Sequence, residues 1–406
     1  MKAENERRMK RFKEQRWILD NIIRSVGVDW DQGRTHRLLA YIGLSGQQDV
    51  TQVRERVTKF KDIPREFERV AKRREEIARK AEGEGRTVTA RENYFMAALF
   101  YVNAQWGIFE DDDEKKIHLG EKQNTCYDNY IKVADHRIER VEIPFEGKTV
   151  PGLLHFPTSS TPPYSCVLSI PGMDSVKEDM PLYGDSFLER GMAVLRLDGP
   201  GQGESNLRKI RVTENNYEVA GKNAVDYLIS RDDIDRDRIA LQGVSMGTYW
   251  GFRVGASETR FKAVALSAPC LEPGMYNLLN TASPTFKLNY MYMTGYEDED
   301  EFDEFTKRLD IRGLEKKIKA PFLLVAGEDD ELCPIEYTHE VFKNVPHPKK
   351  LIIYEGERHS LRNPFHRDIT ADWFKDRLDG KPMKSEKVYV EASGREIVES
   401  IEPQKT

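Results

Sequence analysis

The sequence predicts an α/β fold: a mostly parallel sheet with helices on both faces, preceded by a helical domain. Three observations carry this prediction. Charged segments of helical period fill the first third of the chain. From Arg137 onward short apolar runs alternate with helical stretches, and one of those runs leads straight into Gly243-Val244-Ser245-Met246-Gly247. Continuous apolar runs suit strands covered on both faces, and helices between them supply the right-handed crossovers that parallel pairing needs.

Length and composition agree. The 406 residues exceed one small domain, and 39% hydrophobic with 10% aromatic content supports a sizeable core. A charged fraction of 33% with a mean hydropathy of -0.66 describes a well-solvated surface. The formal net charge of -6 argues against general nucleic-acid affinity. No apolar run approaches the length of a membrane span. Met1 to Arg16 is basic and polar without an apolar core, unlike a secretory signal, so a cytoplasmic location is expected. The four cysteines, Cys126, Cys166, Cys270 and Cys333, are far apart in sequence and show no clustering with histidine. They are expected to be reduced, buried thiols, with no metal and no cofactor.

Residues 1–136 form the expected helical domain. Arg54 to Lys80 alternates charge signs along one predicted helix, with Val57, Phe60, Phe67, Val70 and Ile77 as a sparse apolar stripe. After Gly83-Glu84-Gly85, Thr87 to Trp106 predicts a second helix with Tyr94, Ala97, Ala98, Tyr101, Val102 and Gln105 on one face.

Residues 137–380 form the expected catalytic domain. Arg137 to Pro144 and Val150 to Phe156 flank Glu146-Gly147-Lys148 as a hairpin. Further strands are predicted at Cys166 to Ile170, Met192 to Leu197, Arg238 to Gly243, Lys262 to Ser267, Pro321 to Ala326 and Lys350 to Tyr354. The interval 270–318 is longer than an ordinary crossover. Rich in Met275, Tyr276, Phe286 and Tyr290 to Met293, it is expected to cap the site. Residues 381–406 are a polar tail, with a weak strand candidate at Lys387 to Val390.

A strand running into G-x-S-x-G and then a helix is how a nucleophile elbow is written. Ser245 is the predicted nucleophile. A serine hydroxyl needs a base to take its proton, and the base needs a third group to fix its tautomer. In chain order the acid comes next, after the strand ending at Ala326. Asp330 is preferred in Gly327-Glu328-Asp329-Asp330-Glu331-Leu332-Cys333-Pro334, with Asp329 second. The base follows the last core strand: His359, with His366 as the alternative. Oxyanion donors are expected from the backbone N–H groups of Met246 and Met173, Gly172 allowing close approach. The glycine-rich Asp198-Gly199-Pro200-Gly201-Gln202-Gly203-Glu204-Ser205 lacks the ending of a phosphate-binding loop, so it is expected to be a tight structural loop beside the site.

These residues resemble the α/β-hydrolase superfamily over roughly 140–380. Pro171-Gly172-Met173-Asp174-Ser175-Val176-Lys177-Glu178, Arg190-Gly191-Met192-Ala193 and Asp198-Gly199-Pro200-Gly201-Gln202-Gly203-Glu204 narrow the likeness. They resemble the branch holding 2,6-dihydroxypseudooxynicotine hydrolase and the fungal yellowish-green-type polyketide-shortening hydrolases. That branch also carries an N-terminal helical domain, and the Lys177-Glu178 pair is distinctive of it. Gly247-Thr248 departs from relatives with a second glycine there.

The resemblance implies hydrolysis of a carbon–carbon bond next to a ketone, in a small aryl ketone or polyketide β-dicarbonyl. Carboxylesterase action on small esters is the alternative. It extends substrate contacts to Gly172, Lys177, Glu178, Glu272 and Tyr276, and makes a homodimer plausible. The partner is a small-molecule substrate, with neither nucleic acid nor membrane. Whether Ser245 attacks, or a water activated by His359, is open at this level. A ligand receptor on the same fold and a prolyl-oligopeptidase-type peptidase are the remaining alternatives, the latter disfavoured by the helical N-terminal pattern.

Overall fold

The computed structural model describes residues 10–179, 184–359, 361 and 365–402. The chain divides into two compact units. One gathers Met1–Glu139 with Glu178–Leu182 and Gly295–Glu299; the other holds Arg140–Lys177, Tyr183–Thr294 and Asp300–Thr406.

The first unit is helical: α1 (Lys10–Val26), α2 (Arg34–Ile42), α3 (Gln47–Arg56), α4 (Asp62–Gly83), α5 (Thr87–Gln105) and α6 (Glu114–Val133). Packed between α4 and α6, α5 buries Ala90, Tyr94, Ala97, Leu99, Phe100 and Tyr101. A helix apolar on all sides must lie among its neighbours, so the single face read from the sequence understates it. The helix expected over Arg54 to Lys80 is two helices. Val57 turns extended, and the Asp62 carboxylate accepts from Thr58 N–H at 3.2 Å and Lys59 N–H at 3.0 Å. Pro64 explains the break. It sits easily in a first helical turn but would remove a hydrogen bond and clash with the preceding turn of a continuous helix. Ile77, expected in the stripe, is exposed.

The second unit is built on a sheet with strands β1 (Ile138–Phe145), β2 (Lys148–His155), β3 (Tyr164–Ile170), β4 (Ala193–Leu197), β5 (Ile234–Val244), β6 (Ala263–Ser267), β7 (Phe322–Gly327), β8 (Lys349–Tyr354), β9 (Glu386–Val390) and β10 (Glu396–Ser400). Their order is β1-β2-β4-β3-β5-β6-β7-β8-β9-β10. From β4 to β9 every pairing is parallel; β2 on β4 and β10 on β9 are antiparallel. The interior strands β4, β6 and β7 are buried along their whole length, and β5 is buried over residues 239–243 on the way to the elbow. Crossovers and connections carry α7 (Gly184–Glu189), α8 (Gly203–Leu207), α9 (Tyr217–Ile229), α10 (Met246–Ser257), α11 (Pro284–Thr294), α12 (Glu299–Thr306), α13 (Ile335–Asn344) and α14 (Phe365–Leu378).

One correction concerns the C-terminal half. The segment beyond Lys381, read as a tail, extends the sheet: β9 pairs in register with β8, Val388 opposite Ile352, and β10 closes the edge. The strand candidate at Lys387 to Val390 is β9; β10 is short, polar and exposed throughout, so there the apolar signature of a strand is missing. Most of the long interval after β6 belongs to the second unit, with Gly295–Glu299 assigned to the first. α11 buries Phe286, Tyr290, Met291 and Met293, and Tyr290 stacks among Trp250, Phe302 and Phe305. Among the described residues, no helix is long and apolar enough to cross a membrane.

Candidate active site

Ser245 stands at the C-terminal end of β5, in the middle of the sheet, where the chain reverses into α10. Its backbone has φ 55° and ψ -128°, a region that costs a side-chain-bearing residue on the order of 1–3 kcal/mol. The neighbouring glycines make the turn feasible. A Cβ on Gly243 would lie 2.4 Å from the Gly247 carbonyl oxygen, and one on Gly247 would lie 2.4 Å from that of Ile170. Ser245 N–H donates to the Ser267 carbonyl at 3.0 Å, which pins the bend to β6. Thr248, the residue after the elbow's second glycine, is fully buried. Its hydroxyl donates to the Ser245 carbonyl at 2.6 Å and accepts from Cys270 N–H at 2.7 Å. This side chain therefore ties the elbow to the loop after β6.

Three side chains from three strand ends meet here. Ser245 Oγ lies 2.7 Å from His359 Nε2, and His359 Nδ1 lies 2.8 Å from Asp330 Oδ2. The other Asp330 oxygen accepts from Leu332 N–H and Cys333 N–H, both at 2.9 Å, which locks its orientation. The loops after β7 and β8 are in backbone contact: a Cβ on Gly327 would meet the Glu357 carbonyl oxygen at 2.3 Å, and Asp329 N–H donates to that same oxygen at 2.9 Å. Asp329 itself is exposed and does not face the imidazole. His366 is buried on α14, away from this chain of bonds. Burial opposes the charged form of His359, but the adjacent Asp330 carboxylate outweighs it, by charge and by hydrogen bond. Cys270 and Glu331 add to the effect, and the pKa is raised to about 9. A histidine so held can take the serine proton and keep it.

The loop after β3 faces the elbow. A Cβ on Gly172 would lie 3.1 Å from Ser245 Cβ, so the close approach expected of this glycine is present. Met246 is the first residue of α10, a position whose N–H has no intrahelical acceptor. Met173 follows Gly172 and is buried. A buried brace holds this loop. Gln202 Nε2 donates to the carbonyls of Pro171 at 3.1 Å and Gly172 at 2.8 Å, and Tyr217 hydrogen-bonds Gln202 from behind. The Asp198 carboxylate collects Lys177 N–H at 2.7 Å, Lys177 Nζ at 2.9 Å and Glu204 N–H at 2.9 Å. Lys177 Nζ also pairs with Glu204 at 3.0 Å. From α11, Asn289 Nδ2 donates to Asp174 Oδ1 at 2.8 Å.

The expected substrate contacts are placed differently. Lys177 and Glu178 are both fully buried. The lysine is held by Asp198 and Glu204, and Glu178 accepts from Gln123 Nε2 at 2.8 Å within the helical unit. Their side chains have no surface to offer a substrate. Glu272 is buried and accepts from Asn277 N–H and Nδ2, both at 2.9 Å, as the anchor of the turn that follows. Tyr276 is 61% exposed. The family resemblance pointed to these residues; their side-chain directions were set by tertiary packing.

The cysteines hold a second correction. Cys270 and Cys333, distant in sequence, meet with their sulfurs 3.1 Å apart, and with His359 they offer three ligand atoms within 4.8 Å of one another. Sequence reasoning also missed the bracing roles of Asp198, Gln202 and Glu204. Three glycines in five residues after β4 were the available signal, since none has room for a side chain: a Cβ on Gly199 would meet Tyr217, one on Gly201 Val212, and one on Gly203 Asp198.

Known proteins share this architecture. The chain is 32% identical over 254 residues to alpha/beta hydrolase xenA of Xenoacremonium sinensis, a match covering 59% of this chain and 57% of that protein's length. It is 26% identical over 301 residues to the 2,6-dihydropseudooxynicotine hydrolase of Paenarthrobacter nicotinovorans, covering 72% of this chain and 78% of the relative. The crystal structure of 2,6-dihydroxy-pseudo-oxynicotine hydrolase superposes with a TM-score of 0.75 at 25% identity, over 85% of this chain and 97% of that one. A family model described as Esterase FrsA-like matches residues 66–378. The protein is an α/β-hydrolase and belongs to the FrsA-like esterase family.

Proposed function

We propose that this chain hydrolyses a carbon–carbon bond next to a ketone in a small aryl ketone or polyketide β-dicarbonyl, using Ser245, His359 and Asp330 as one catalytic unit. The observation that carries the reading is the unbroken Ser245–His359–Asp330 hydrogen-bond chain, set in a fold that superposes on 2,6-dihydroxy-pseudo-oxynicotine hydrolase. His359 Nε2 takes the Ser245 proton as Oγ adds to the carbonyl carbon, and Asp330 holds the imidazolium that results. The oxyanion is received by the N–H groups of Met246 and Met173, each worth about 3–4 kcal/mol in the transition state.

The tetrahedral adduct then collapses. The bond between the carbonyl carbon and the leaving carbon breaks, and its electron pair spreads into an enolate or an electron-rich ring. The imidazolium of His359 delivers its proton to that carbon. Water, deprotonated by His359, cleaves the acyl-serine and releases a carboxylic acid. The neutral imidazole of His359 takes the serine proton, and a pKa raised to about 9 keeps that proton available for a leaving group slow to accept it. Carbanion release also calls for a firmly set oxyanion site, and the Gln202 and Lys177–Asp198 brace supports that requirement.

The family description as esterase favours a second reading, in which the leaving group is an alkoxide. Product mass analysis with aryl β-diketones, beside release of p-nitrophenol from short acyl esters, separates the two in wild type and Ser245→Ala. Diketone cleavage lost in the variant supports the proposal. Ester turnover lost in the variant, with diketones untouched by either protein, would replace it with the carboxylesterase reading.

A further inference from the structure

We propose that Cys270 and Cys333 are a reversible oxidative modification site: a peroxide joins them as a disulfide, and the bond switches off the hydrolytic centre beside them. The regulatory half of this inference rests on the catalytic reading above; formation of the disulfide does not.

The two sulfurs lie 3.1 Å apart, inside ordinary contact distance, so a bond of about 2.05 Å needs roughly 1 Å of closure. Both residues sit in loops that build the site. Cys270 follows β6, and its N–H is held by the same Thr248 hydroxyl that binds the Ser245 carbonyl. Cys333 donates its N–H to Asp330. Drawing the sulfurs together therefore pulls on the acid's turn and on the elbow at once. Within the pair the two thiols differ: burial and the neighbouring Cys270 push Cys333 well above the usual thiol value, just as burial pushes Cys126 and Cys166 up to about 12. For Cys270, burial acts in the same direction, but the Cys333 thiol, His359 and Ser245 outweigh it and favour the thiolate.

The chemistry balances with a peroxide as oxidant. The Cys270 thiolate attacks one peroxide oxygen, the O–O bond breaks, and the sulfur becomes a sulfenic acid as hydroxide leaves. The Cys333 sulfur then displaces that oxygen, forming the S–S bond and releasing water. Two electrons and two thiol protons are lost in all, and the peroxide is reduced to two waters. A thiol reductant reverses the step. A thiophilic cation fits the cluster less well, because both His359 nitrogens are already bonded, to Ser245 and to Asp330. Zinc–sulfur bonds of about 2.3 Å in a tetrahedral site would also hold the sulfurs roughly 3.7 Å apart.

The full chain, reduced and then treated with hydrogen peroxide, tests the proposal by peptide mapping and by turnover. The expected results are a Cys270–Cys333 linked peptide and a loss of turnover on the order of 10²-fold, as for about 1 Å of misplacement. Dithiothreitol should restore both. Cys333→Ser should stop at the sulfenic acid, trapped on Cys270 by dimedone, and Cys270→Ala should keep its own starting rate through the same treatment. The proposal is overturned if no linked peptide forms, if it forms without loss of turnover, or if a chelator rather than dithiothreitol restores activity. If the reduced protein turns over neither esters nor diketones, the catalytic reading has failed, and the peptide map still decides the disulfide.

Discussion

In the helical unit, buried carboxylates sit on helix faces and reach outward to lysines and arginines at the surface. In the hydrolase unit Asp198 and Asp330 sit just past the ends of strands and reach inward, to Lys177 and His359. Glu75 illustrates the first kind. It accepts from Tyr101 at 2.7 Å and from Lys122 at 2.8 Å, and Lys122 keeps 33% of its side chain in solvent. Such a cation retains much of its hydration, so the pair stabilises modestly without fixing anything to a fraction of an ångström. Lys177 is the opposite case, with none of its side chain exposed, against a fully buried Asp198. Burying both charges forfeits their hydration, and the return is a loop that cannot shift without breaking the pair. The lesson is that buried charge at strand ends marks geometry being held, while charge along helix faces marks solvation.

Breaking the first link of the inward chain should cost most. Ser245→Ala is expected to lower kcat about 10⁵–10⁶-fold with the fold intact, judged by turnover and thermal melting together. Asp330→Asn comes next, at about 10⁴-fold in kcat. It should also move the pH profile. Asp330 raises His359, with smaller contributions from Cys270 and Glu331, so in wild type the neutral, base-competent imidazole appears only as pH climbs toward about 9. The rising limb of kcat/KM should lie there, and should fall to lower pH in the variant. The stability that His359 draws from its protonated state is present below the usual histidine value and is lost as pH rises through about 9.

Lys177→Met leaves Asp198 buried without its cation and should destabilise the protein by about 3–5 kcal/mol, read from denaturant melts. Glu204 belongs to this network. Burial works against its charge, yet Lys177 and Arg208 prevail and hold it down to about 2. Its contribution is complete above the ordinary glutamate value and disappears as pH falls through about 2. The smallest effect is expected from Glu75→Gln in the helical unit, about 1.5 kcal/mol of stability, with kcat/KM unchanged. A comparable loss of kcat/KM in this variant would erase the contrast between the two units.

The Ser245–His359–Asp330 hydrogen-bond chain was legible because each member is tied to a strand end. The apolar runs are unmistakable, and the chain order of serine, acid and histidine places each residue on the same edge of the sheet. The choice of Asp330 among four neighbouring acids followed from spacing, and Asp330 rather than Asp329 contacts His359. Side-chain destinations were less legible. Lys177 and Glu178 looked like substrate contacts because the resembled branch shares that pair, but Asp198 and Gln123, remote in sequence, claim them. The meeting of Cys270 with Cys333 spans 63 positions and depends on β6 and β7 lying side by side. The edge strand β10 carries polar residues on a solvated sheet margin, where the apolar signal that betrays interior strands has no reason to exist.

The most direct measurement is rapid-quench mass spectrometry of the full chain during turnover of an aryl β-diketone. The account predicts a transient acyl adduct on Ser245 that decays as the carboxylic acid appears, and that is absent in Ser245→Ala along with the product. Product formed without an adduct, and at a comparable rate in Ser245→Ala, would contradict it and assign the attack to water activated by His359.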